Sequence, residues 1–248
     1  MTQIILVIIG AALGKLTELL FEAFYKRRHK QAATSIAGLE DITAWEWDGV
    51  KLLTKLIELD RRLIGNVLTE PREGTAKQWA SIFVNNPQSW AMLINGPKQI
   101  VGYWHFAPLR DDMFERAKRG ELLDSEIWLD AIESLEVPGH YNLYFVLIGV
   151  LPDYQAGFGK LIEAFFSRIE WLAERGIFFR EVCANAFTHH GKRLCEGFGM
   201  EKTCDHREFG LVYFTALSPW PERLKHRRWE NLAAMYDREF SSRLIAKG

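Results

Sequence analysis

Residues 142–160, Asn-Leu-Tyr-Phe-Val-Leu-Ile-Gly-Val-Leu-Pro-Asp-Tyr-Gln-Ala-Gly-Phe-Gly-Lys, hold the pattern on which the fold turns. The apolar run from Leu143 to Leu151 has the length of one buried strand, and Pro152 ends it because proline brings no N–H to a ladder. A short turn bearing Gly157 and Gly159 follows. Beyond it Leu161, Ile162, Phe165, Phe166, Ile169 and Leu172 recur at helical spacing until Arg175-Gly176. The order is strand, glycine turn, helix. Glycines let a backbone approach an anion, and the first turn of a helix adds unpaired N–H groups and the positive end of its dipole, so the turn suits a pyrophosphate. It is neither a nucleotide P-loop, since no Gly-Lys-Ser/Thr ending follows, nor the three-glycine dinucleotide fingerprint. A helix start that needs only a bend is the alternative reading of the same two glycines.

The run Val150-Leu151-Pro152-Asp153-Tyr154 leading into Gln155-Ala156-Gly157-Phe158-Gly159 resembles the acyl-CoA-binding signature of the GNAT N-acyltransferases, Gln/Arg-x-x-Gly-x-Gly/Ala after a strand ending Val-x-Pro. Tyr154 stands at the Gln/Arg position, with Gln155 one place later. Downstream, Val182 to Asn185 and then Leu194-Cys195-Glu196-Gly197-Phe198-Gly199-Met200 look like the family's next strand and helix, with Cys195 where the family usually has a tyrosine. The resemblance spans about residues 142–214.

The resemblance implies an α/β (α+β) fold: a central mixed, mostly antiparallel sheet flanked by helices, here with an N-terminal hydrophobic helix and a C-terminal helix added. It implies transfer of an acyl group, in the first place acetyl, from acetyl-CoA or another acyl-CoA to the amine of a small molecule or protein. That reaction needs a neutral amine against the thioester carbon, a donor for the oxyanion and a proton for the departing thiolate. By resemblance, the N–H groups of Ile148 and Val150 hold the pantetheine arm and the thioester oxygen. The turn Gln155, Ala156, Gly157, Phe158, Gly159 and Lys160 takes the pyrophosphate, and Asn185 bonds the pantetheine or orders its turn. Cys195 is the candidate acid in the tyrosine's place, or else a packed thiol. Tyr144, His140 and His105 are the other polar candidates around the central strand. Of the adjacent His189 and His190, at most one faces a cleft. Two other readings stay open: a GNAT-fold binding or interaction module without catalysis, and a long-chain acyl-transfer enzyme fed by acyl carrier protein.

The rest of the chain sets the frame. A net charge of −1 over 248 residues gives no general attraction to nucleic acid, and 48% hydrophobic residues indicate a folded chain. Cys183, Cys195 and Cys204 show neither a disulfide framework nor metal-ligand spacing, so no metal is expected. Residues 1–30 read as a hydrophobic helix, apolar from Ile4 to Leu13, closed by the basic cluster Lys26-Arg27-Arg28-His29-Lys30. They are a candidate membrane anchor, with the rest of the chain on the cytoplasmic side by the positive-inside bias; the alternative is a helix packed on the domain or on a second copy. Residues 31–218 form the expected acyltransferase domain and 219–248 an amphipathic helical tail. Within the domain, helices are expected over 48–63 and 76–84, and a hairpin straddles Asn95-Gly96-Pro97. Two helical pieces are expected in the charged stretch 109–139, which by its length is a candidate cover for the acceptor site. Strands are expected over 178–186 and 208–217, with a short helix at 189–198 between them.

Overall fold

The structure, a computed structural model, describes residues 34–65, 70–218, 220–224 and 229–245. The expected N-terminal helix and basic cluster of residues 1–30 lie outside the described residues. Strand β1 (Thr34–Ala37) leads into helix α1 (Leu39–Ala44) and then α2 (Gly49–Ile64). Asp48 caps α2 by accepting from the Lys51 N–H, and Gly65, at φ 78°, ends it in the left-handed region that glycine tolerates. After a single turn at Glu70–Glu73, helix α3 (Ala76–Asn85) opens on a Thr75/Gln78 capping box. Strands β2 (Trp90–Asn95) and β3 (Ile100–Leu109) form the expected hairpin.

The stretch after β3 is helical only in α4 (Asp111–Lys118); its second half makes two short 3₁₀ turns, Asp124–Glu126 and Leu129–Ala131. Its backbone is held there by Gln78 of α3, whose Nε2 donates to the carbonyls of Asp124, Ser125 and Ile127 at 3.2, 3.2 and 2.6 Å. Carbonyls captured by a side chain are lost to a continuous helix. Strand β4 (Gly139–Val150) and helix α5 (Phe158–Ala173) follow, joined by 3₁₀ turns over Pro152–Gly157. Then come β5 (Ile177–Ala186), α6 (His189–Gly197), β6 (Glu201–Asp205), β7 (Leu211–Ala216) and α7 (Glu230–Ile245).

Among the described residues seven strands make one sheet in the order β1-β2-β3-β4-β5-β7-β6. Every neighbouring pair is antiparallel except β4–β5. This is the central mixed, mostly antiparallel sheet of a GNAT-like fold. One face carries α2, α3 and α4, seen in the contacts of Tyr103 with Asp60, of His105 with Trp79, and of Asn142 with Asp111. The other carries α5 and α6, with Phe165 wedged against Trp104, Phe106 and Phe145. The tail helix α7 docks beside them. Trp229 stacks on Phe166, Tyr236 meets Phe178 edge-on, and the Phe179 N–H donates to the Tyr236 hydroxyl at 3.1 Å. Among the described residues no helix is long and apolar enough to cross a membrane.

Candidate active site

The parallel β4–β5 ladder runs only from Gly139↔Ile177 to Phe145↔Ala184. Beyond that point β4 pairs with β3 alone, and Asn185 and Ala186 of β5 pair with β7 alone, so the sheet splits. A bulge at Val146 starts the split: His105 faces Leu147 and Phe106 faces Phe145, leaving Val146 unmatched. The Leu151 N–H donates to the Val101 carbonyl at 2.8 Å. Alternation along an antiparallel ladder then turns Gly149 and Leu147 toward β3, and the N–H groups of Ile148 and Val150 toward the split.

A cavity of about 640 Å³ fills the split. It is lined by the unpaired edge of residues 146–150, by Phe165, Phe166 and Ile169 of α5, by His190, Leu194 and Cys195 of α6, and by Leu217, Trp220 and Leu224. Of the two adjacent histidines, His190 lines it and His189 does not. Ile148, Val150, Gln155, Phe158, Asn185 and Cys195 are therefore brought to one cavity. Asn185 donates through Nδ2 to the Phe209 carbonyl at 3.1 Å, while its Oδ1 is buried with no partner.

The turn itself is not as open as its glycines suggest. Gly157 is buried at an ordinary φ of −74°, and a Cβ placed there would sit 2.5 Å from Leu93 Cδ2 and 3.3 Å from Thr34 Oγ1. Its glycine is accounted for by packing against β1 and β2. A Cβ on Gly159 would meet nothing within 4 Å, so there the absent side chain leaves open space. The Phe158 N–H is taken by the Gln155 carbonyl, and no side chain caps the start of α5. Ala156 and Lys160 are exposed, and the Lys160 ammonium donates to the Thr34 carbonyl.

The polar candidates divide between the faces. Burial pushes the Cys195 thiol up to about 12. His105 lies on the opposite face from α5, against a second, smaller cavity of about 30 Å³ whose lining also takes in Asp124, the partner of Tyr144. His105 is stacked on Trp90 with ring centroids 3.4 Å apart, and burial holds its imidazole well below the usual range. The Tyr144 hydroxyl donates to Asp124 Oδ1 at 3.1 Å, and loss of water around that carboxyl lifts Asp124 to about 7 despite the bond. Tyr103 donates to both oxygens of Asp60, at 2.6 and 2.7 Å, and burial raises Asp60 well above the carboxylate range. Asp60, Glu73 and Asp124 were not singled out in the sequence. The signal was present for Asp60, which sits on the apolar stripe of α2, four residues after Leu56 and seven after Leu53. His140 serves elsewhere, its Nε2 lying 2.9 Å from Glu239 of α7.

No family model and no curated protein sequence matches the chain. Solved structures do. A GNAT-family acetyltransferase from Staphylococcus aureus aligns at 11% identity over 75% of this chain and 99% of its own, with a TM-score of 0.46. Arabidopsis thaliana Naa50, in complex with the bisubstrate analogue CoA-Ac-MVNAL, aligns at 14% identity over 74% and 98%, with a TM-score of 0.41. Ard1 from Thermoplasma volcanium aligns at 13% identity over 74% and 97%, also at 0.41. The fold assignment rests on the strand order, the single parallel pair and the split after Phe145. Among the described residues no cluster of His, Cys, Asp and Glu could hold a metal ion.

Proposed function

We propose that the chain is an N-acyltransferase that holds an acyl-CoA in the β4–β5 split and passes its acyl group to an amine. The observation that carries this is the split itself: a cavity of about 640 Å³ opening on a strand edge whose Ile148 and Val150 N–H groups face no other strand. A pantetheine arm is a chain of amides, and such an edge offers the ladder bonds that a missing strand would have made. One of these N–H groups is then placed to donate to the thioester oxygen as it gains charge. Asn185 orders the neighbouring loop, its Nδ2 on the Phe209 carbonyl and its Oδ1 packed against Gly210. The pyrophosphate lies over the start of α5 at Gly159, beside Gln155, Ala156 and Phe158, while Gly157 closes the turn onto the core and Lys160 braces it to β1.

Cys195 forms part of the wall. A thiol held at about 12 keeps its proton more tightly than a thiol in water does, so transfer from Cys195 to the departing thiolate would run uphill. The apolar part of the lining, with Phe166, Phe198 and Leu224, favours a second reading in which the acyl chain is longer than acetyl. Calorimetric titration with coenzyme A, acetyl-CoA and palmitoyl-CoA, followed by thiol release in the presence of primary amines, tests both. Binding without thiol release would leave a binding module, and no binding would remove the proposal.

A further inference from the structure

Adjoining the acyl-CoA cleft at Ile64, Val146, Leu147 and Phe187, which line both spaces, is the 30 Å³ cavity that Asp60, Glu73, His105 and Asp124 also line. Carboxylates gathered in an apolar interior are costly unless something compensates them. The internal partners do not account for all of these groups. Tyr103 serves Asp60, Tyr144 serves Asp124, and Arg61 reaches one oxygen of Glu73 from the surface through Nε at 3.0 Å. Glu73 Oε2 and His105 Nε2 remain buried with no partner, on residues 5% and 2% exposed. Two unsatisfied polar atoms on the residues lining the same small cavity as the buried Asp60 and the half-buried Asp124 mark a place for a group that donates several hydrogen bonds and carries positive charge.

We infer that this cavity is the subsite for the primary ammonium end of the acceptor, and that Asp124 accepts its proton. The inference rests on the acyl-CoA reading of the larger cleft and adds the acceptor's chemistry to it. A space of about 30 Å³ admits an –NH₃⁺ head, which brings three donors to the acceptors there, whereas a quaternary head brings none. Asp124 and Phe187 also line a neighbouring pocket formed with Phe209 and the Arg72–Glu208 ion pair.

The protons balance as follows. The ammonium gives one proton to the Asp124 carboxylate, and the lone pair so exposed forms the N–C bond at the thioester carbon. The C–S bond then breaks with its electron pair on sulfur, the second nitrogen proton goes to that sulfur, and Asp124 returns its proton to solvent. Gln78 is the positioning residue, because it ties the 124–127 backbone to α3.

The test uses the full chain saturated with coenzyme A, titrated at pH 8 with n-butylamine, butyltrimethylammonium and n-butanol. Butylamine is expected to bind at least tenfold more tightly than either of the others. Asp124→Asn and Asp60→Asn should each erase that preference while coenzyme A affinity stays as in the unchanged protein. With acetyl-CoA as donor, Asp124→Asn should also lower kcat/KM for butylamine about a hundredfold, in the range of one lost general base. Equal binding of the three probes, a preference that survives Asp124→Asn, or undiminished turnover in that variant would overturn the inference. Failure of coenzyme A itself to bind would be seen in the first titration and would refute the acyl-CoA cleft instead.

Discussion

Replacing Gly157 by alanine separates the two uses a glycine can have in this turn. The added Cβ would stand 2.5 Å from Leu93 Cδ2, and Leu93 is fully enclosed in the core, so one of the two must shift. Overpacking of this kind costs about 1–3 kcal/mol. The backbone at φ −74°, ψ −12° suits alanine, and stiffening the unfolded chain returns about 0.4–1 kcal/mol. The net loss is about 1–2 kcal/mol, a fall in Tm of about 2–8 °C for a chain of this size. Gly159→Ala has no such neighbour and should gain about 1 kcal/mol of helix propensity, leaving Tm unchanged or raised. Coenzyme A affinity should respond in the reverse sense, near normal for Gly157→Ala and reduced about tenfold by Gly159→Leu, roughly the worth of one phosphate contact. Thermal melts and calorimetry on the three variants decide it. A Gly157→Ala protein as stable as the original would refute the packing argument.

Cys195→Ala should keep turnover within about threefold at pH 8, since a thiol held near 12 is a poor donor; a drop of about a hundredfold would restore it as the acid. Asp124→Asn should stabilise the protein at pH 8. Asp124 rises from 3.8 unfolded to about 7 folded, so its neutral form favours folding below pH 4, and this benefit is lost as pH climbs through 7. The groups facing it are Asp60, Glu73 with Arg61, and Tyr144, and the gain is at most about 4 kcal/mol at pH 8, vanishing toward pH 4 in urea melts. Tyr236→Phe strands the Phe179 N–H, which should cost about 1–3 kcal/mol and loosen α7, read by denaturant melts and proteolysis of the tail.

The strand, its proline stop and the helix after it were legible because one apolar run of strand length stands beside one of helical period. The hairpin was legible from Asn95-Gly96-Pro97, and α2 and α3 from their periodicity. Strand β6 was not: Glu201–Asp205 is a charged, exposed edge strand with no alternation to mark it, and only the run from Glu208 was read as a strand. The second helical piece expected in 109–139, on Ile127, Trp128, Ala131 and Leu135, failed where Gln78, 49 residues earlier, takes the Ile127 carbonyl such a helix needs. Gly157 carries the same lesson. A glycine placed for Leu93, which lies 64 positions away in sequence, looks the same as one placed for a ligand. The cavity in the split was expected from Ile148, Val150 and Asn185, whereas the acidic cavity adjoining it joins α2, the turn before α3, β3 and the loop at Asp124, which no local window contains.

Amide hydrogen exchange at Ile148 and Val150, with and without coenzyme A, tests the central claim most directly. In the free protein both amides face the split rather than a neighbouring strand, and they should exchange much faster than those of Leu147 and Gly149, which face β3. Saturating coenzyme A should slow Ile148 and Val150 at least tenfold and protect residues 158–160 with them. Coenzyme A binding that leaves these amides unprotected, or no binding at all, would contradict the account.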